Sequence, residues 1–599
     1  MPKPSGHGCQ AHEGEVVVSL VPSAVKPSLA AAGRRGRVRA LACWLVVCGY
    51  LLGAVAVTWR LWADPASLMP IGRGNRDVDL FAWYMRFEAT SISHGSLPGL
   101  VSTAMNAPHG ISLLWNTSLL LPGVVLSPLT LLAGPQTTLT VLLTLGFAGS
   151  AASLFWVLRR WEASISAAAL GGAVYGFSPA LLDAGMGHYH LQFAVFPPLI
   201  IDALMRLVTG RGRPVRTGAW LGVLTAAQLF TGEELLTATA VAAVVLAAVA
   251  AAGRPRAIPG RAKAAAGGLG VALAVTLLLS GYALWEQFRG PFSQHGSPWP
   301  ASDYYAHPAV FVTPPSSLLF HTQASAATAA ANYATNLAEY LGYLGWPLLI
   351  VLLAATVAYI TEPKIRAVAL TWLVLEAFTL GTHSAALPWH YLQHLPVLSQ
   401  VLPNRLAILA DGAAAALLAL SVDRTRRLLP DGPRWRAALV TGVAVLVVLP
   451  LLPRPYRAVP VAPVPAGWQS AFSRLRLAAD APVLVLPVPY GPNTDPLRWQ
   501  SETGDPGSLI GGYFIGPDSS GQAAEYGGRL PGIVPILDSI WAGKQHPAPP
   551  AATIRAAIVS WHPAAIVAVA NLTSQLGQIL VKVFGPPAFR TGKILVWRG

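Results

Sequence analysis

Cysteine is almost absent: three residues among 599, at Cys9, Cys43 and Cys48. None follows Cys48, so no disulfide framework supports the later part of the chain, and no cysteine cluster is there to hold a metal. Charge is scarce too, at 11% of residues. Lysine is rare beside arginine, whereas alanine, glycine and proline are abundant, a bias that fits a GC-rich genome such as an actinobacterium's. What fills the chain is apolar. Hydrophobic residues make up 53%, and the mean hydropathy is +0.51. That lies well above an ordinary soluble domain and excludes a chain of several soluble domains.

Long apolar runs recur from Leu41 to Leu452, each near the roughly 20 residues that cross a bilayer. Residues 1–40 are polar, with Pro, Gly and a basic end at Arg34-Arg35-Gly36-Arg37-Val38-Arg39, and read as a disordered cytoplasmic tail. The run Leu41 to Thr58 reads as a retained first helix rather than a signal peptide, since it comes late and lacks a small-residue cleavage site. Further helices are expected near 137–157, 163–182, 191–209, 217–231, 234–252, 266–287, 341–360, 367–383, 405–421 and 436–453, about eleven spans in all. Short alternate loops carry the arginines: Arg159-Arg160; Arg211, Arg213 and Arg216; Arg254, Arg256, Arg261 and Lys263; Lys364 and Arg366; Arg424 to Arg436. By the positive-inside rule these loops are cytoplasmic and the long loops lie outside. The same asymmetry explains much of the net charge of +15, so nucleic acid is not an expected partner. The run Leu113 to Leu132 is apolar enough to span but contains Pro122 and Pro128, and counting it would invert every later loop. It reads as a juxtamembrane or re-entrant helix pair.

The outer side then carries the polar chemistry. A first outer loop, residues 62–136, holds the stretch Arg76-Asp77-Val78-Asp79-Leu80-Phe81-Ala82-Trp83-Tyr84, two carboxylates one residue apart. Leu80, Trp83, Tyr84 and Phe87 fall at helical spacing, so a helix with one apolar face is expected from Asp77 to Ser93. Two readings stay open for Asp77 and Asp79: caps of an interfacial helix, where carboxylates suit the N-terminal dipole, or catalytic groups. Other outer loops hold His188 and His190, Glu233 and Glu234, His383, His390 and His394, and then Arg405. Each has a plain alternative: packed or solvated histidines, helix-start glutamates, a snorkelling arginine. Asp202, Glu376 and Asp411 fall inside expected helices, where acids are costly. From Arg454 to Gly599 the character changes. Strand-like runs at Val483-Leu-Val-Leu-Pro, Ala565-Ile-Val-Ala-Val-Ala and Lys593-Ile-Leu-Val-Trp, with helices at Pro531 to Gly543 and Ala551 to Trp561, predict a small extracytoplasmic α/β domain over 454–599. Its loops Tyr490-Gly-Pro-Asn and Gly511-Gly-Tyr-Phe-Ile-Gly-Pro carry aromatics suited to stacking on sugars.

Several words occur in order along this chain: Asp79-Leu-Phe-Ala-Trp-Tyr, Asn106-Ala-Pro-His-Gly-Ile-Ser, Tyr175-Gly-Phe-Ser-Pro-Ala, Gly187-His-Tyr-His, Glu339 with the following aromatic run, and Pro403-Asn-Arg405. In these the chain resembles the GT-C superfamily of integral membrane glycosyltransferases, which take sugars from polyprenyl-phosphate donors. The resemblance covers most of residues 40–455 and looks most like an actinobacterial branch. It implies a GT-C-like polytopic fold over 41–453 in the plasma (inner) membrane, with the N-terminus cytoplasmic. It implies a lipid-linked sugar as donor and a glycan, lipid or protein of the cell envelope as acceptor. It maps the acidic residue of the first outer loop, which acts as general base or positions the acceptor, onto Asp79 first and Asp77 second. Transfer also needs charge to meet the leaving lipid phosphate. Arg405 is the first candidate, with Arg76, His188, His190 and Glu234 as further substrate-binding residues. A divalent ion, Mg²⁺ or Mn²⁺, held by Asp77, Asp79 and another acid is compatible with these oxygen ligands. Two other readings fit the same sequence: a transporter or flippase for a lipid-linked saccharide, and a non-catalytic envelope assembly protein.

Overall fold

The computed structural model describes residues 29–70, 76–253, 258–296, 298, 304–332, 339–395, 398–428, 434–505, 507–518, 521, 523–527, 532–544 and 546–599. Residues 1–46 and 47–599 form two units, and the contacts described below lie within 47–599. Most of the tail, residues 1–28, lies outside the described residues, as do Arg254 and Arg256. Helix α1 already begins at Leu29 and runs to Thr58, so the expectation of disorder through residue 40 does not hold over its last part.

The helices follow in chain order: α2 Arg76–Ser93, α3 Leu120–Ala133, α4 Pro135–Arg160, α5 Ile165–Gly176, α6 Pro179–Ala184, α7 Tyr189–Gln192 and α8 Phe196–Val208. Then come α9 Pro214–Leu229, α10 Glu233–Ala252, α11 Ile258–Arg289, α12 Gln323–Asn332, α13 Trp346–Tyr359, α14 Pro363–Thr379, α15 Trp389–Leu392, α16 Ala407–Leu428 and α17 Arg434–Val448. Proline opens α4, α6, α9 and α14 at a position where its missing N–H costs nothing. Ser164 and Ser178 cap α5 and α6 by accepting from backbone N–H groups.

Six segments among the described residues are long and apolar enough to cross a membrane: Arg37–Thr58, Pro135–Arg160, Ile165–Ala184, Glu233–Ala252, Gly260–Arg289 and Pro403–Leu428. The expected count was about eleven. The difference lies in α8, α9, α13, α14 and α17, which have 13 to 17 residues. At about 1.5 Å per residue they reach only about 20–26 Å, short of a hydrocarbon core of about 30 Å. The window near 191–209, for example, is broken between α7 and α8 at Phe193 to Val195. The expected helix pair over 113–132 is one helix, α3, with Pro128 inside it.

Small residues set the helix spacing. A Cβ on Gly176 would lie 2.4 Å from the Cβ of Ala151, so α4 and α5 touch through their backbones. Gly218 meets the carbonyl of Gly268 in the same way, bringing α9 against α11. Close backbone approach replaces the hydrophobic drive that is missing between helices in lipid. Part of the glycine and alanine content is therefore structural.

Short strands β1 Leu68–Met69 and β4 Val459–Pro460 pair, as do β2 Val101–Ser102 and β3 Ile111–Ser112. After β4 come α18 Trp468–Leu475, β5 Pro482–Leu486, α19 Asp495–Thr503, β6 Ser508–Leu509, β7 Ile515–Pro517 and β8 Ala524–Tyr526. They are followed by α20 Ile533–Trp541, α21 Ala551–Val559, β9 Ala565–Val569, α22 Gln575–Phe584, β10 Phe589–Thr591 and β11 Ile594–Arg598. The sheet order is β10-β11-β9-β5-β6, parallel between β5 and its two neighbours and antiparallel from β9 to β10. Leu484, Ile566 and Leu595 of its strands pack with Leu537, Ile558 and Leu580 of α20, α21 and α22. The three expected strands are all present. The section is not a separate unit, however, because 47–599 clusters as one body. Asn106 and Ala107 donate from their backbone N–H groups to Gly511 and Leu509, and Asn116 exchanges hydrogen bonds with Ile515.

Candidate functional site

Helix α2 forms where the sequence places it, but it is not amphipathic in effect. Val78 to Met85 are all buried, Asp79 among them, and so is Glu88. The reason is that α19 and the loop around Tyr513 cover the side that would otherwise face water.

A helix advances about 100° per residue, so residues two apart point nearly opposite ways. Asp77 and Asp79 accordingly have separate environments. Asp79 accepts from Arg498 Nε at 2.8 Å and from Thr494 Oγ1 at 2.7 Å. Arg498 is completely buried and also donates to Gln136 Oε1 at 2.9 Å and to Glu502 Oε1 at 3.2 Å. Burial opposes its charge, but Asp79 and Glu502 outweigh that and hold the guanidinium above its ordinary range. Two more bonds run from α2 to the same element: Trp83 Nε1 donates to Gln500 and Arg86 Nε to the Ser501 carbonyl.

Asp77 faces the other way. Its Oδ1 accepts from Tyr513 Oη at 2.9 Å, and its Oδ2 lies 3.2 Å from His188 Nε2. The opposite nitrogen of His188 is 3.6 Å from Glu339 Oε1. Glu339 is bonded by Arg405 through both Nε and Nη2, and by the Asn404 side chain at 3.0 Å. Arg405 Nη1 reaches across to Glu234, and His190 Nε2 stands 3.7 Å from the same carboxylate. His190 also packs on Phe81 of α2, with ring centres 5.7 Å apart. One continuous chain of ionisable groups thus runs Asp77, His188, Glu339, Arg405, Glu234, His190. It is drawn from the start of α2, the α6–α8 connection, the first turn of α10, the residue before Tyr340, and the turn before α16.

Among these groups the side chain of Asp77 is the most open, at 25% exposure against 20% for Glu234 and 3% for Glu339. Burial works against the charged form of His188, but Glu339 and Asp77 outweigh it and raise its pKa. For His190 burial dominates over Glu234 and lowers it. Burial would raise Glu339, yet Arg405 and His188 hold it low.

The structure therefore brings together Asp77, His188, His190, Glu234 and Arg405 of the sequence candidates. Asp79 is buried in the Arg498 pair, and exposed Arg76 has no ion-pair partner among the described residues. A divalent ion held by Asp77, Asp79 and another acid, which the sequence allowed without requiring, does not fit, because the two carboxylates diverge. Among the described residues no group of three or more His, Cys, Asp or Glu side chains is arranged to hold a metal. The cation between Glu234 and Glu339 is Arg405 itself. Glu339 was legible only as a family word and not as a site residue. Tyr513 lay in a loop read for its aromatic face, whereas its hydroxyl is what reaches Asp77. Arg498 and Thr494 carried no local signal, being more than 400 residues from Asp79.

No protein-family model matches the chain, and no curated protein sequence matches it. Solved structures do. The arabinofuranosyltransferase AftD from Mycobacteria superposes with a TM-score of 0.51 and 16% identity, over 93% of this chain and 39% of AftD. The oligosaccharyltransferase AglB from Archaeoglobus fulgidus, solved with an inhibitory peptide and a dolichol-phosphate, gives a TM-score of 0.44 and 12% identity, over 91% of this chain and 71% of that one. This chain spans well under half the length of AftD. The likeness to AftD is one of fold: this chain folds like the part of that arabinofuranosyltransferase on which it superposes.

Proposed function

We propose that the chain is a membrane glycosyltransferase that moves a sugar from a polyprenyl-phosphate donor to a cell-envelope acceptor at the outer face of the plasma membrane. The observation that carries this reading is Asp77. It is the most accessible carboxylate of the buried ionic chain, oriented on one oxygen by Tyr513 and on the other by His188.

In the proposed reaction Asp77 accepts the proton of an acceptor hydroxyl as the new bond to the sugar's anomeric carbon forms. The bond from that carbon to the phosphate oxygen breaks, and the lipid phosphate leaves with the electron pair. Glu234, Glu339 and Asp77 outnumber the fixed cation Arg405, and this surplus suits the positive charge that develops on the sugar ring. Arg405 is engaged by two glutamates. His188 is likewise held between Asp77 and Glu339, so among the described residues the cation left to meet the phosphate is Arg76, exposed in the first turn of α2. Asp79 takes a positioning role: its buried pair with Arg498 fixes the rotation of α2 that turns Asp77 into the cluster.

The test is transfer by the purified full chain from a panel of polyprenyl-phosphate sugars. Asp77→Asn is expected to lower turnover by about 10²- to 10⁴-fold with an unchanged melting temperature. Unchanged transfer in that variant removes Asp77 as the base. Saccharide flux in liposomes with no transfer by the wild type would replace the enzyme by a transporter.

A further inference from the structure

A second site lies at the far end of the bundle. Helix α10 connects the two: Glu234 sits in its first turn, and Val249, Ala250 and Ala251 at its other end, with Gly253 just beyond, line a cavity of about 610 Å³. At about 1.5 Å per residue, Glu234 and the cavity-lining end of the helix stand about 22 to 28 Å apart. The cavity is bounded by the end of α4, by α8, by the start of α11 and by the start of α14.

Its mouth is cationic. Arg206, Arg211, Arg261 and Arg366 line it, and none of the four has a carboxylate within ion-pair distance among the described residues. Arg160 lines it as well but is bonded to Asp202, the one acid in the wall. That pair also accounts for Asp202, an acid read from sequence as lying within a helix. Lys364 completes the ring and pairs with Glu162. Six cations therefore meet two carboxylates, Asp202 in the wall and Glu162 beside Lys364. Like charges gathered in a partly buried cavity repel one another unless an anion sits among them, and guanidinium groups match phosphate oxygens in paired hydrogen bonds.

Behind the mouth the chemistry changes. Trp161, Leu246 and Val368 belong both to this cavity and to a narrower slot of about 60 Å³ that continues between α4, α8, α14 and α16. The slot is walled by Leu154, Ile201, Leu375 and Leu409. Helix α11, which contributes Arg261, shows exposed leucines beyond it, with Leu273 at 60% and Leu278 at 83%, as a surface facing acyl chains would. A soluble phosphate ester satisfies the arginines but leaves the slot unused. A molecule with an anionic head and an apolar tail satisfies both.

We propose that this cavity binds an anionic phospholipid of the bilayer. Its phosphate diester sits among Arg206, Arg211, Arg261 and Arg366, and one acyl chain leads towards the slot. The lipid neutralises the arginines and ties α8, α10, α11 and α14 together at the membrane face opposite the Asp77 cluster.

Native mass spectrometry of the delipidated full chain in detergent tests this. Phosphatidylglycerol, phosphatidylcholine with the same acyl chains, and sn-glycerol 3-phosphate are added in turn. Phosphatidylglycerol should be retained at least tenfold more than phosphatidylcholine, and glycerol 3-phosphate should not displace it. The double variant Arg206→Gln/Arg261→Gln and the single variant Ala250→Glu should each lower retention at least tenfold. Ala250→Glu keeps every arginine and places a carboxylate in the wall, so it decides the matter if the double variant does not fold. Equal retention of the two lipids, or full retention by Ala250→Glu, overturns the proposal. Displacement by equimolar glycerol 3-phosphate assigns the mouth to a free phosphate ester and overturns the lipid.

Discussion

His188 stands between two carboxylates, and its titration has a definite sign. Its pKa is raised in the folded chain because Glu339 and Asp77 outweigh burial. A raised pKa means the folded state holds the proton more tightly. The stabilisation is full below the unfolded imidazole value of about 6.5 and drains away as pH rises through the higher folded value. His190 has the opposite sign: its lowered pKa makes stability fall as pH drops below about 6.5. Thermal melts between neutral and mildly alkaline pH should therefore show a falling melting temperature in the wild type and a flatter profile in His188→Gln. An unchanged slope in that variant would place the titrating group elsewhere. At this scale the sequence was informative because charge is so scarce. Asp77, His188, His190, Glu234 and Arg405 stood out as polar groups at the ends of apolar runs, and they do converge. Which atoms they touch was not legible, because contacts such as Tyr513 with Asp77 join residues 436 apart.

Helices α2 and α19 form a clamp whose centre is the Asp79–Arg498 pair. Removing one partner of a buried ion pair costs about 3–5 kcal/mol, since the other charge stays buried and unpaired. Asp79→Ala and Arg498→Met should each destabilise by about that amount, whereas Asp79→Leu/Arg498→Met should cost clearly less than the sum. Strict additivity in chemical unfolding would show that the pair does not couple the two helices. The clamp also marks the limit of periodicity as a guide. The spacing of Leu80, Trp83, Tyr84 and Phe87 located α2 well, and the apolar runs at Val483, Ala565 and Ile594 located their strands. Periodicity reports the face an element buries in one contact. It could not report that α19 arrives to bury the second face, which is why Asp79 read as an accessible carboxylate.

Across the whole molecule, the composition shift after Pro453 was visible, but it does not mark an independent part. Residues beyond it supply Tyr513 to Asp77, Arg498 to Asp79, Gln500 to Trp83 and Ile515 to Asn116. A chain ending at Pro453 keeps every described segment long enough to cross a membrane, yet loses those four contacts to α2 and the first loop. Such a truncation should still insert in the membrane, lose sugar transfer, and expose α2 to limited proteolysis. Full transfer by the truncated chain would show that the last section is dispensable to the site.

The separation of Asp79 from Arg498 by 419 positions also has a temporal side. At about 5–20 residues per second, a ribosome needs about 20 to 80 seconds to add that much chain. For that interval every nascent copy carries Asp79 with its guanidinium still unmade. The first loop emerges long before α19, so its final packing waits for Arg498 and follows the apolar scaffold that lies between them in the chain.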